Sequence, residues 1–260
     1  MDKNTFYSEI ENWILERITE SKPKPLIIGV NGSQGIGKTT LCRYLVDVFS
    51  ARGIKTVSIS IDDFYYTRTE QAALSEKYAD NPFLQARGYA GTHDIALGEK
   101  VLKSLKNRKA TLVPVYDKSA FEGRGDRKRE AEWQKIEKNT DIVLFDGWML
   151  GHKAVAASEI TNPHLQAIND FLPQYSKWMS LLDAFIVLAP ENVEYVLQWR
   201  VEAEEKMKAA GHAGMPKGVI EAYVKTFIPA YETYLPGLLH NNLTALPTLR
   251  FTIKKDRLPK

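Results

Sequence analysis

Apolar residues in this chain fall into two kinds of run. The short, continuous ones are Leu26–Asn31, Thr56–Ile61, Ile142–Phe145, Ala184–Leu188 and Leu249–Ile253, rich in Ile, Val, Leu and Phe with little alternation. That is the pattern of strands covered on both faces. Between them lie longer stretches with apolar residues at helical spacing: Thr39–Ser50, Ala96–Lys106, Val193–Ala210 and Val219–Tyr234, the last two parted by a break at "AAGHAG". Near the start, Phe6, Ile10, Trp13, Ile14 and Ile18 share one face, which predicts an amphipathic helix over residues 1–22 packed on the rest. "TLVPVYD" is extended as well, but Pro114 confines it to an edge or a loop. Strands alternating with helices predict an α/β fold: a predominantly parallel sheet of about five strands with helices on both faces. No repeat, low-complexity tract or linker interrupts the pattern, so residues 1–260 read as one domain.

Composition narrows the partners. Apolar content of 44% and charged content of 26% suit a soluble globular protein, and a formal charge of +3 gives no electrostatic case for nucleic acid. No run approaches the length of a membrane span, and Asp183 interrupts the best one, "SLLDAFIVLAP". Acidic residues interrupt the first 25 residues, which carry no apolar core of a signal peptide. A cytoplasmic protein with a small-molecule partner, and neither membrane nor nucleic acid, is the expectation. Cys42 stands alone, so no intrachain disulfide forms; it reads as a small buried residue.

The first strand runs into "GSQGIGKT", Gly32 to Thr39, which fits G-x-x-x-x-G-K-[ST] and leads into a helical pattern. A polyphosphate needs several backbone N–H groups at close range, and side chains would hold the backbone away. The following helix turns its positive end to the same anion. Candidate nucleotide contacts are therefore Gly32, Ser33, Gln34, Gly35, Ile36, Gly37, Lys38, Thr39 and Thr40. Lys38 would reach the β- and γ-phosphates of ATP, and the Thr39 hydroxyl would coordinate Mg²⁺. No N-K-x-D guanine reader occurs, which argues against a GTPase.

Two further strands end in acid: "VSISIDDFY" at Asp62 and Asp63, "DIVLFDGW" at Asp146. Chemistry in parallel sheets collects at the carboxyl ends of strands. If both strands flank the loop strand, these carboxylates converge on the γ-phosphate: Asp146 for Mg²⁺, Asp62 for the proton of an attacking hydroxyl. The plain alternative, stronger for Asp63, is that they cap turns.

After the loop come, in order, "SIDDFYYT", "ARGYAGTHD", "PVYDKSAFEGRGDR", "LFDGWMLG", "YVLQWRVEAEEKM" and "AGMPKGVIEAYVKTFIPAYETYLP". This series resembles the D-glycerate 3-kinases of the plant and cyanobacterial type, and equally a group of fungal and bacterial ATP-binding proteins, over roughly residues 25–236. They belong to the P-loop kinases that include uridine kinase, pantothenate kinase and phosphoribulokinase. The resemblance implies a P-loop kinase fold with a helical lid, about residues 191–218, and ATP-dependent phosphorylation of a small hydroxylated metabolite. It implies Asp62 as the catalytic aspartate and Arg200 as the lid arginine over the phosphates. Substrate would be held by Thr92, His93 and Asp94, and the segment Tyr116, Asp117, Lys118 and Ser119 would lie against the same pocket. The family usually carries Glu-Gly-Trp where this chain has "DGW"; Asp146 is one methylene shorter, leaving open whether it meets Mg²⁺ directly or through water.

Glycerate offers a carboxylate and two hydroxyls, so its pocket should hold cations beside acceptors. Arg87, His93, Lys118, Arg124 and Arg127 beside Asp94 and Asp117 supply both, with Arg87 or Arg127 expected to grip the carboxylate. Asp63 and Tyr65 join the candidate acceptor residues. Phe64, Tyr65, Tyr66, Tyr89 and Phe121 could instead stack on a base. "GRGDRKRE" is as well explained as a solvated loop, and the aromatics of "YVLQWR" and "EAYVKTFIPAYETYL" as core. Three readings stand: a kinase of D-glycerate, a kinase of another acceptor (nucleoside, pantothenate or sugar phosphate), and a slow ATP-binding switch.

Overall fold

A computed structural model describes residues 2–20, 25–209, 217–240 and 246–260. Its helices are α1 (Lys3–Glu20), α2 (Lys38–Ala51), α3 (Arg68–Lys77), α4 (Ile95–Lys106), α5 (Leu165–Phe171), α6 (Ser176–Met179), α7 (Tyr195–Ala209), α8 (Lys217–Lys225) and α9 (Ile228–His240). Its strands are β1 (Leu26–Gly32), β2 (Thr56–Ser60), β3 (Thr111–Val113), β4 (Tyr116–Asp117), β5 (Asp126–Arg127), β6 (Gln134–Ile136), β7 (Ile142–Gly147), β8 (Ala184–Pro190) and β9 (Thr248–Ile253). Most of the "AAGHAG" break and part of the expected lid fall on 210–216, outside the described residues.

Five strands form one parallel sheet in the order β2-β7-β1-β8-β9. β1, β7 and β8 are buried along their whole length, which is why those runs are apolar without alternation. β1 accepts no side chain at Gly29, where a Cβ would lie 2.4 Å from the Phe185 ring on β8. "TLVPVYD" supplies no strand of this sheet; β3 and β4 pair with β6 and β5 in two small antiparallel hairpins.

α1 rests on α2 and the β9 edge: Phe6 meets the Phe251 ring at 4.8 Å, and buried Glu11 pairs with Arg52. The pattern over 219–234 resolves into two helices, with Thr226 and Phe227 between them. Cys42 is buried, and burial pushes its thiol up to about 12, so it is chemically inert. No helix among the described residues is long and apolar enough to cross a membrane.

Candidate active site

β1 ends between β7 and β8, the point where chain order turns back on itself and where parallel sheets bind ligands. The loop that follows is built by two left-handed glycines, Gly35 (φ 77°) and Gly37 (φ 110°). Gly37 caps α2 with no side-chain bond, so the first-turn N–H groups of that helix stay unsatisfied by protein. Nothing lies within 4 Å of where a Gly37 Cβ would project, so that position faces open space. Lys38 folds over it, its Nζ donating to the carbonyls of Gly32 (2.6 Å) and Ser33 (3.1 Å). Burial lowers the Lys38 pKa, while Asp146 and Asp62 oppose that shift. Ser33 and Ile36 are buried in the loop, the Gln34 N–H donates to the Tyr231 hydroxyl, and Thr39 and Thr40 stand exposed at the helix start. A cradle of amides, a cation and an exposed threonine hydroxyl fit a nucleotide's phosphates.

The strand ends correct one expectation. β2 does not flank β1; β7 lies between them, because the chain crosses two places before returning. Asp62 still reaches Lys38 electrostatically, because its turn (Ile61–Phe64) leans over the end of β7. Gly147 makes room: a Cβ there would stand 2.4 Å from Ile61 Cδ1. Asp63 locks the turn by accepting from the N–H groups of Ser60 (3.2 Å) and Tyr116 (3.4 Å). Its carboxylate is therefore a framework group, which displaces its expected role as a substrate contact.

Asp62 carries the site. Lys118 donates to its Oδ2 at 2.5 Å, and the Tyr65 hydroxyl adds a hydrogen bond. Burial pushes the Asp62 pKa up, but Lys118, His93 and Tyr65 outweigh it and hold the carboxyl below its ordinary range. Asp146, 8% exposed at the end of β7, goes the other way: burial raises it to about 6, partly offset by Lys38. No group of three metal-binding side chains occurs among the described residues. Asp146 and the Thr39 hydroxyl suit Mg²⁺, which takes one or two protein oxygens and completes its shell from phosphates and water.

His93 is buried and stacked on Tyr65 at 4.4 Å. The Tyr175 hydroxyl accepts from the Gly91 N–H (3.2 Å) and shares a hydrogen bond with His93 Nδ1 (2.7 Å), which fixes the orientation of the imidazole ring. Burial lowers the His93 pKa to about 3, which keeps it neutral. Nε2 has no hydrogen-bond partner among the described residues.

Arg87 and Arg127, the arginines expected to grip a carboxylate, both engage protein partners. Arg87 donates to the carbonyls of Gly123 (2.9 Å), Arg124 and Lys118 (3.3 Å), and so fastens the loop bearing Lys118. Arg127 pairs with Asp94 and Glu70, both at 3.2 Å. Asp94 also caps α4 at Leu97, and buried Thr92 bonds Tyr89 O and Gly88 N; both build the turn that carries His93. Asp117 accepts from the N–H and hydroxyl of Ser119 and shapes the start of the Lys118 loop. Tyr116 is buried against Tyr65. Tyr223 of α8 lies within electrostatic reach of Arg87, Asp62, Arg200 on α7 and Lys118; burial raises its pKa, and the three cations oppose that shift. Tyr223 was assigned to core by its helical spacing; it is 36% exposed at the mouth of the site.

The phosphoribulokinase / uridine kinase family model matches residues 27–159, from the start of β1 past the Asp146 segment. The chain belongs to that family. It is a P-loop kinase, a phosphotransferase acting on an alcohol group. It is 39% identical over 221 residues to a chloroplastic D-glycerate 3-kinase of Arabidopsis thaliana, covering 82% of this chain but only 48% of the plant protein. An uncharacterized kinase of Schizosaccharomyces pombe is 32% identical and matches over 94% of both chains. Among solved structures, a D-glycerate 3-kinase from Cryptococcus neoformans superposes with a TM-score of 0.89 at 29% identity, covering 98% of this kinase and 97% of that chain.

Proposed function

We propose that this kinase phosphorylates the 3-hydroxyl of D-glycerate at the expense of MgATP. The observation that carries the reading is the Asp62–Lys118 pair beside Lys38: a proton acceptor and a fixed cation at one place, opposite the phosphate loop. An acceptor bearing both a hydroxyl and a carboxylate satisfies both partners at once. The activity for which the plant and Cryptococcus relatives are named agrees with that chemistry.

When bound, MgATP supplies the γ-phosphoryl group. The chain's own residues do the rest. Backbone amides from Gly35 to Thr40 orient the polyphosphate, and Lys38 neutralises charge that shifts toward the bridging oxygen. Thr39 and Asp146 would hold Mg²⁺. Asp62 receives the acceptor's hydroxyl proton; a carboxylate with a low pKa suffices, because the hydroxyl acidifies only as its bond to phosphorus forms. Lys118 draws the acceptor carboxylate toward Asp62, and Arg200 with Tyr223 covers the site from α7 and α8 and limits water.

ADP release with MgATP, measured against D-glycerate, L-glycerate, pantothenate, uridine and ribulose 5-phosphate, tests this. Turnover should depend on D-glycerate. A preference for an uncharged acceptor, or ATP hydrolysis indifferent to any acceptor, refutes it.

A further inference from the structure

The chain beyond β9 doubles back in a turn, Lys254–Leu258, that reaches the phosphate loop. Arg257 Nε donates to the carbonyl of Gly35 at 2.9 Å, its Nη2 pairs with Glu202 of α7 at 2.7 Å, and its guanidinium lies 5.6 Å from the Trp199 ring. Trp199 Nε1 in turn donates to the Lys255 carbonyl at 2.8 Å, and its Cβ lies 2.7 Å from where a Gly35 side chain would begin. One side chain thus joins loop, tail and lid helix.

Arg257 sits at φ 64°, a left-handed conformation that glycine or asparagine would adopt with less strain. The turn is closed by its own backbone, Arg257 N–H to Lys254 O (2.9 Å) and Lys254 N–H to Leu258 O (2.8 Å), and needs no guanidinium to form. What arginine adds is the bond to Gly35. In a trans peptide the N–H points opposite to the C=O. Pinning the Gly35 carbonyl outward therefore aims the Ile36 N–H inward, where it makes only a long 3.3 Å bond to Ser33 O. The same bond keeps a carbonyl dipole out of the phosphate space.

We propose that Arg257 is a positioning residue of the phosphate cradle, fixing the Gly35–Ile36 peptide with its N–H toward the polyphosphate. The proposal rests on the nucleotide reading of the loop. Calorimetric titration of the full chain with MgADP and with inorganic pyrophosphate tests it. Arg257→Met keeps the stem on Trp199 and removes the donor; it should weaken both ligands by about tenfold, as for one lost bond from a charged donor. The KM for the acceptor should not move. Arg257→Lys, still able to donate to Gly35, should recover most of the loss. Glu202→Gln leaves the Gly35 bond intact and should stay within about twofold of the parent. Weakened ADP with unchanged pyrophosphate would place Arg257 on the base and overturn the proposal. So would a Glu202→Gln loss of about tenfold, a result that reads against the proposal even if the methionine variant does not fold. A parent that binds neither ligand refutes the nucleotide site itself.

Discussion

Gly35 and Gly37 differ in what surrounds them, and that difference separates stability from binding. Either residue changed to Ala places a Cβ in the left-handed region, at a cost of about 1–2 kcal/mol. At Gly35 the new methyl also stands 2.7 Å from Trp199 Cβ and 3.1 Å from Trp199 backbone carbon, so α7 itself must shift. Overpacking of that kind adds about 1–3 kcal/mol. For a domain of this size each kcal/mol lowers Tm by about 2–4 °C, so Gly35→Ala should melt roughly 4–20 °C below the parent. Gly37→Ala meets no protein atom within 4 Å and should lose only about 2–8 °C. MgADP gives an independent readout. At about a hundred times Kd, ligand adds about 2.7 kcal/mol to the parent, and it should add less to Gly37→Ala, where strain at the left-handed cap disturbs the amides at the start of α2. Differential scanning fluorimetry with and without MgADP reads both effects. A Gly37→Ala variant with the parent's full ligand shift, or a Gly35→Ala variant no less stable than Gly37→Ala, would refute the account.

Asp62→Asn should lower kcat by about a hundred- to ten-thousand-fold with little change in MgADP affinity; turnover within a few-fold of the parent would put the base elsewhere. Lys118→Met should raise the KM for D-glycerate by about tenfold while sparing glycerol, in steady-state assays of both acceptors. The same variant should move the acid limb of kcat/KM. Asp62 acts as carboxylate and loses activity as pH falls through a pKa that Lys118 holds low, so removing the cation starts that loss at higher pH. An unmoved limb would separate Lys118 from Asp62. Asp146 is a carboxylate above about pH 6 and protonated below it. The Mg²⁺ contribution to ADP affinity, measured by calorimetry from pH 5 to 7.5, should therefore fade as pH drops through that value, and Asp146→Asn should reduce the dependence to the part set by the nucleotide's own terminal phosphate, which titrates at about 6.

β1, β7 and β8 were legible because each is buried along its whole length, which leaves a continuous apolar run, while the half-covered edge strands β2 and β9 kept enough Ile, Val, Leu and Phe to be read beside them. α3 was not: Arg68–Lys77 buries no residue and presents no apolar stripe, and it is held by Thr67 and Glu70 capping each other. Thr67-x-x-Glu70 is itself a readable start signal. Asp62, Lys38 and Asp146 could be nominated because strand ends and loop spacing are local properties. The fates of Arg87 and Arg127 could not, since their partners come from segments tens of residues away: Gly123 and Arg124 for one, Glu70 and Asp94 for the other. Tyr223 was hidden by sharing the spacing of its buried neighbours Ile220, Val224 and Phe227. Arg257 follows no motif at all, and only the return of the tail to Gly35 reveals it.

The double anchoring of Asp63 has an evolutionary corollary. With its turn fastened to both Ser60 and Tyr116, Asp62 is held on a rigid support, and on the proposed mechanism discrimination would pass to the 118–125 segment moored by Arg87. Descendants of such a scaffold can exchange one metabolite for another by rewriting a single surface excursion, leaving the machinery of transfer untouched.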